Sequence, residues 1–314
     1  MAIHSKVPVI LHTDIGTDID DTWALIMLLR QPWYDLKMVL VDTGDLHYRA
    51  SLVASILTHF GRSDVPIGLG LESSVENLCY RSIAGVLNGS ELSSYSGQVF
   101  KNGTQQLIEI VQTADKPVTL ISIGPAPAIA AMLDLAPETA QNIRFTGMFG
   151  SLKQSHEGKE GQIVEYNVKC DIPAAKRIFA TPWLESRFTP LDSCGQVVLA
   201  GDEYQVVAAS SDPGLQLLLE HYDCWRRYHK IDKSLQRSSI LFDTVAVHLA
   251  CSTEFLQMND MHLAVDDKGY LVESLEAPLS HVATGWTDLP GYRKFLLKTM
   301  CGHCPEILTA ALGS

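Results

Sequence analysis

The sequence has no run of 18 uncharged apolar residues, so no membrane-spanning helix is expected. It is also short of positive charge. Lys and Arg number 24 against 36 Asp and Glu, a formal net of −12. A surface of that sign repels phosphate backbones and anionic lipid, which argues against nucleic acid and membrane surfaces as main partners and leaves a neutral small molecule, a cation, or both. Charged residues make up only 19% and hydrophobic ones 46%. There is ample material for a buried core, and disorder is excluded as the main state. The opening stretch MAIHSKVPVILHTDIGTDIDD lacks the long apolar segment and small-residue cleavage site of an export signal. With seven scattered cysteines, reduced thiols in the cytoplasm are the expectation. Several chemistries lack their motif as well. There is no Gly-x-Ser-x-Gly nucleophile elbow. Gly68-Leu69-Gly70 lacks the strand–helix setting of a dinucleotide fingerprint. Cys301-Gly302-His303-Cys304 has no second pair and reads as structural.

What is present is an alternation of apolar runs and helical patterns. Strands are expected at residues 7–13, 36–43, 65–69, 118–123, 143–148 and 187–190. Helices are expected at 20–30, 49–60, 104–113, 126–135, 174–179, 215–228 and 239–251, the fourth opened by Gly124-Pro125. Residues 261–265 and 270–273, split by Asp266-Asp267-Lys268-Gly269, read as a β-hairpin. Residues 72–103 and 151–161 are polar and irregular, but the strand–helix rhythm resumes after each. The pattern therefore predicts one α/β domain over residues 1–314. Its sheet is open, mainly parallel and Rossmann-like, has helices on both faces, and carries function at the carboxyl ends of its strands.

The most informative segment is His12-Thr13-Asp14-Ile15-Gly16-Thr17-Asp18-Ile19-Asp20-Asp21. Four carboxylates within eight residues follow a buried strand and open a helix. Capping would explain Asp18, Asp20 or Asp21 singly, but not Asp14 at the strand end. Concentrated like charge is costly, and a hard cation such as Ca²⁺ or Mg²⁺ prefers such all-oxygen ligation. Gly16 permits the tight turn that lets the acids converge. The loop does not have the ligand spacing of an EF-hand.

This stretch, running on through Thr22-Trp23-Ala24-Leu25, resembles the N-terminal signature of the nucleoside hydrolases, the inosine-uridine-preferring ribohydrolase family. Further segments are similar in the same order. They are Leu120 to Ala130 with its Gly124-Pro125, Gly147-Met148-Phe149-Gly150, Glu165-Tyr166-Asn167 with Asp171 and Ala174-Ala175, and Asp243-Thr244-Val245-Ala246. The resemblance implies that fold, and hydrolysis of the N-glycosidic bond of a ribonucleoside to ribose and free base. It implies a Ca²⁺ held by Asp14, Asp21, Asp243 and the backbone carbonyl of Ile123, with Asp14 also the general base. Asp20 would accept from the 2′-hydroxyl, Asn167 would reach the 3′-hydroxyl, and Glu165 would sit near the 5′ end. Asp45 and Met148 would complete the ribose pocket, and a dimer or tetramer would be usual.

The departures are as specific as the matches. His12 stands where the signature begins with Asp, Ile15 replaces a Pro, and two extra residues lengthen the turn before Asp20-Asp21. Lys159 replaces an Asn six residues before the Glu. Phe242 occupies the position at which many purine-active members carry a His; it can stack on a base but cannot donate a proton. The basic stretch Trp225-Arg226-Arg227-Tyr228-His229, expected at a surface, holds other proton donors. Three readings follow: an active ribonucleoside hydrolase, a catalytically silent riboside binder, or a hydrolase of a modified riboside.

Overall fold

The computed structural model describes residues 6–72 and 80–303. Among the described residues ten strands form one sheet: β1 (Val7–Thr13), β2 (Tyr34–Val41), β3 (Ile67–Leu69), β4 (Val99–Phe100), β5 (Val118–Ser122), β6 (Ile143–Gly147), β7 (Glu185–Phe188), β8 (Leu256–Val265), β9 (Leu271–Glu273) and β10 (Leu279–Trp286). Their order is β4-β3-β2-β1-β5-β6-β7-β10-β8-β9. Pairing is parallel from β4 through to β10, and β8 and β9 are added antiparallel. The helices are α1 (Asp20–Leu29), α2 (Leu46–His59), α3 (Gly103–Thr113), α4 (Pro127–Leu135), α5 (Tyr166–Cys170), α6 (Ile172–Phe179), α7 (Leu191–Cys194), α8 (Asp202–Ala208), α9 (Pro213–Tyr228), α10 (Phe242–Leu249) and α11 (Leu289–Met300).

Successive side chains on a strand point to opposite faces, and here each face meets its own core. Val9 and Leu11 of β1, Val39 and Val41 of β2 and Ile121 of β5 pack with apolar residues of α1, α2, α9, α10 and α11. Ile10, Met38, Leu40, Val118 and Leu120 point the other way, onto α3, α4 and α6. Continuous apolar runs are what a sheet covered on both sides requires. The chain steps outward from β1 through β2 and β3 to β4 on one side, and from β5 through β6 to β7 on the other. β1 and β5 are therefore neighbours whose connections diverge, and a crevice opens at their carboxyl ends.

Several boundaries differ from the sequence expectation, with β2 and α2 beginning earlier and β3 later than expected, and two more have a local cause. The helix expected from Ser239 starts only at Phe242. The N–H groups of Ser238 and Leu241 donate to the carbonyls of Leu199 and Val197, both at 2.8 Å, and this holds the chain extended just before the helix. Asp243 thereby falls in the first turn of α10. The strand expected at residues 187–190 lies two residues earlier, in register with β6, and Pro190 is instead the N-cap of α7. The hairpin is present, with Leu263 opposite Glu273 and Val265 opposite Leu271. β4, β10, α5, α7, α8 and α11 were not anticipated. Among the described residues no helix is long and apolar enough to cross a membrane. Cys304 of the Cys-x-x-Cys pair lies outside the described residues.

Candidate active site

The site begins where β1 and its two neighbours end. His12 lies opposite Leu40 of β2 and Ser122 of β5. Just past the strands, Asp42 N–H donates to Thr13 O and Ile123 N–H donates to His12 O, each at 3.0 Å. Asp14, Asp42 and Ile123 thus leave the same edge side by side. Gly16 then turns the chain at φ +100°, where a Cβ would lie 2.7 Å from both Leu52 and Tyr48. Arg49 of α2, 1% exposed, braces this turn from below. Its Nε donates to Thr43 O at 2.9 Å, and its Nη1 donates to Ile15 O at 2.9 Å and also to Asp14 O. Its guanidinium lies 3.9 Å from Asp14 Oδ2.

Asp20 and Asp21 occupy the first turn of α1, and Asp243 the first turn of α10. The two helices pack together, and the carboxylate oxygens of the three residues lie within 4.8 Å of one another. Thr13 Oγ1 donates to Asp21. Asp14 is buried alongside, and its Oδ2 has no hydrogen-bond partner among the described residues. Burial, reinforced by mutual repulsion, pushes Asp20, Asp21 and Asp243 well above the ordinary carboxylate range. Burial also raises Asp14, against the pull of Arg49, and pushes Asp18 up to about 6. Two helix N-termini favour anions only modestly. Clustered buried carboxylates, with an oxygen beside them that accepts no hydrogen bond, are a donor set that fits a hard divalent cation.

The opposite wall is built by α5. Glu165 is its N-cap. One carboxylate oxygen accepts from Asn167 N–H at 2.7 Å, and the other accepts from Gly150 N–H at 3.0 Å and Val168 N–H at 3.2 Å. Even so, burial pushes its carboxyl up to about 7. Asn167 Nδ2 donates to Met148 O at 3.0 Å and more distantly to Ile123 O at 3.4 Å. This pins α5 to the ends of β5 and β6.

These walls enclose a cavity of about 370 Å³, of the size that takes a small organic ligand. Asp14, Asp20, Asp21, Ile123, Met148, Glu165, Asn167, Phe242 and Asp243 all line it. The close trio includes Asp20, whereas the resemblance implied Asp14 as a ligand beside Asp21 and Asp243. Asp45 is not in the lining. It caps α2, accepting from Tyr48 N–H at 3.0 Å, and faces Arg81 at 3.6 Å. Lys159 is exposed and also outside the lining. His229, from the basic stretch expected at a surface, does line the cavity, as do His156, Tyr80 and Tyr166.

The sequence reading passed over His156, because it sits in a polar loop without periodicity. It also missed Arg49 and the buried pair of His12 and Asp42. His12 Nε2 is 3.0 Å from Asp42 Oδ2, and its Nδ1 is 3.0 Å from Ser122 Oγ. Asp42 also accepts from Ala128 N–H at 2.8 Å and Leu71 N–H at 2.8 Å. The signal available was polar residues ending apolar strands, where burial demands partners.

Comparison with known proteins bears on this geometry. The model of the inosine-uridine preferring nucleoside hydrolase family matches residues 9–285. Among curated relatives, a non-specific ribonucleoside hydrolase RihC of Klebsiella pneumoniae is 26% identical over 273 residues, covering 84% of this chain and 85% of that protein. A protein of the same name from Salmonella paratyphi A is 25% identical over 307 residues, covering 93% and 97%. Solved structures share the fold. A plant nucleoside hydrolase superposes with a TM-score of 0.76 at 18% identity, covering 94% of this chain and 99% of its own. A purine-preferring ribonucleoside hydrolase from Gardnerella vaginalis gives 0.76 at 20% identity, covering 94% and 98%. The chain belongs to the inosine-uridine-preferring nucleoside hydrolase family, a family of N-glycosyl hydrolases.

Proposed function

We propose that this protein hydrolyses ribonucleosides to ribose and free base with a divalent cation, Ca²⁺, in the acidic cluster. One observation carries the reading. Asp14 from just past β1, Asp20 and Asp21 from α1 and Asp243 from α10 converge in a cavity of ligand size at the switch point of the sheet. Asp14, Asp21, Asp243 and the Ile123 carbonyl would hold the ion. When bound, it supplies positive charge that acidifies water and fixes the ribose diol.

The remaining work falls to the chain. Asp14, whose Oδ2 accepts no hydrogen bond from a described residue, takes the proton of the attacking water as the anomeric carbon becomes oxocarbenium-like. Asp20 accepts from the 2′-hydroxyl, Asn167 reaches the 3′-hydroxyl, and Glu165 faces the 5′ end. Met148 packs on the sugar, and Phe242 offers a ring to the base. The continuity of one sheet from β1 to β10 supports treating residues 1–314 as one domain, and a dimer or tetramer is part of the proposal. Asp14→Ala abolishes ribose release from ribonucleosides if this is right; unchanged turnover overturns it. The presence of Phe242 next to Asp243 favours one alternative, a silent riboside binder. Tight calorimetric binding of ribosides with no base release from any of them would establish it.

A further inference from the structure

Breaking a C1′–N bond leaves the electron pair on the base, and a purine or pyrimidine is a poor leaving group as an anion. A placed proton donor accelerates such a step by roughly 10²–10⁴-fold. The donor has to stand where the base departs, away from the carboxylates that gather around the sugar. Phe242, which adjoins Asp243, has no proton to give.

His156 does. It lines the cavity with Asp14 and Asp243, and its ring packs nearly perpendicular to that of Phe242, centroids 5.6 Å apart at 74°. Together with Asp18 and Phe242, it also borders an adjoining chamber that holds Tyr222 and Trp225. It therefore stands at the junction of the two spaces. The loop that carries it is braced. Asp192 accepts from the N–H groups of Leu152, Lys153 and Gln154 at 2.7–3.1 Å. Glu157 N–H donates to Gly195 O at 2.7 Å, and the Glu157 carboxylate pairs with Arg237 at 3.0 Å. The imidazole makes no side-chain hydrogen bond to another described residue, so its N–H is free for a ligand. Partial burial, with Lys159 close by, lowers its proton affinity, which makes the protonated ring a stronger acid. The other histidine of the lining, His229, is held between Trp225 and Tyr228 instead, at 4.8 and 5.0 Å.

We propose that His156 is the catalytic acid that protonates the departing base. This rests on the ribonucleoside hydrolase reading above. As the C1′–N bond breaks, its electron pair passes to the base, and a ring nitrogen of the base takes the proton from the His156 imidazolium. Water forms the new C1′–O bond and gives its proton to Asp14. That proton passes to solvent, which reprotonates the neutral His156. The balance is riboside plus water giving ribose plus neutral base.

The test compares His156→Gln, His156→Ala and His229→Gln with wild type on inosine, uridine and p-nitrophenyl riboside, whose phenolate leaves without a proton. His156 is exposed, so its loss costs little stability. Both His156 variants are expected to lose roughly 10²-fold or more in kcat on inosine and uridine, and at least thirty-fold less than that on the nitrophenyl riboside. Equal losses on all three substrates would make His156 merely structural and overturn the proposal. So would full activity in both His156 variants, or a leaving-group-dependent loss confined to His229→Gln. A wild type that releases ribose from none of the three fails the parent reading first, and the proposal falls with it.

Discussion

Gly124 offers a clean way to move Asp14 without changing any charged group. It lies just past β5, after Ile123, and its φ lies outside the left-handed region, so alanine fits the backbone. The added methyl does not fit the space. A Cβ there would stand 2.7 Å from Asp14 Oδ1 and 2.8 Å from Asp14 N. Ordinary contact begins at 3.4 Å, so the deficit at the carboxylate is 3.4 − 2.7 = 0.7 Å. The amide is held at the end of β1 and cannot retreat as freely as the carboxylate. Rotating the carboxylate relieves only its own clash, so the end of β1 must also shift and carry Asp14 with it, against the brace from Arg49 at 3.9 Å. Overpacking of this kind costs about 1–3 kcal/mol of stability, which a folded chain tolerates. A misplacement near 1 Å at a reacting group costs about 10²-fold in rate. Gly124→Ala is thus expected to fold, to melt somewhat earlier, and to lose roughly 10²-fold in kcat for ribose release. The assay is reducing-sugar release under saturating riboside, beside a chemical denaturation curve. A folded variant with kcat within about threefold of wild type would refute the reasoning, because the position of Asp14 would then not limit the reaction.

Other consequences follow from the same residues. Asp18 and Glu165, raised to about 6 and about 7, bind more protons in the folded chain than in the unfolded one, and Asp14, Asp20, Asp21 and Asp243 shift the same way. The contribution of Asp18 and Glu165 to stability is full below the unfolded carboxyl pKa of about 4 and is lost as pH rises through 6 and 7, and that of the other four falls in the same direction. The cation-free protein should therefore melt at lower temperature at pH 8 than at pH 5, and added Ca²⁺ should flatten that decline; melts that rise toward pH 8 without cation would contradict it. Asp45→Ala removes a helix cap and is expected to cost about 1 kcal/mol in denaturation, with KM for ribosides little changed. A large rise in KM would return Asp45 to the ribose pocket.

How much of this was legible in the sequence depended on what each segment must bury. The strand at residues 7–13 was read with its structural bounds, because a run buried on both faces leaves no polar interruption. The acidic turn was legible because its charge density has few structural explanations. β10 was not, since LSHVATGW is only partly buried and interleaves Ser, His, Thr and Gly with its apolar residues. α11 was masked by the Pro290-Gly291 pair in its first turn. In the site, Glu165 and Asn167 were found through matching spacing, but their roles as helix cap and strand tether needed coordinates. Arg49 and His156 were out of reach for opposite reasons. A buried Arg on an apolar helix looks like any solvated Arg, and a loop His carries no pattern until Phe242 is seen against it.

The central claim is that these clustered carboxylates work around a cation on the sugar of a nucleoside. It is tested most directly by ribose release from a panel of ribonucleosides, measured before chelation, after exhaustive chelation, and after Ca²⁺ is returned. The expected result is release that disappears with the cation and comes back with Ca²⁺. Release that persists undiminished in the chelated protein would contradict it.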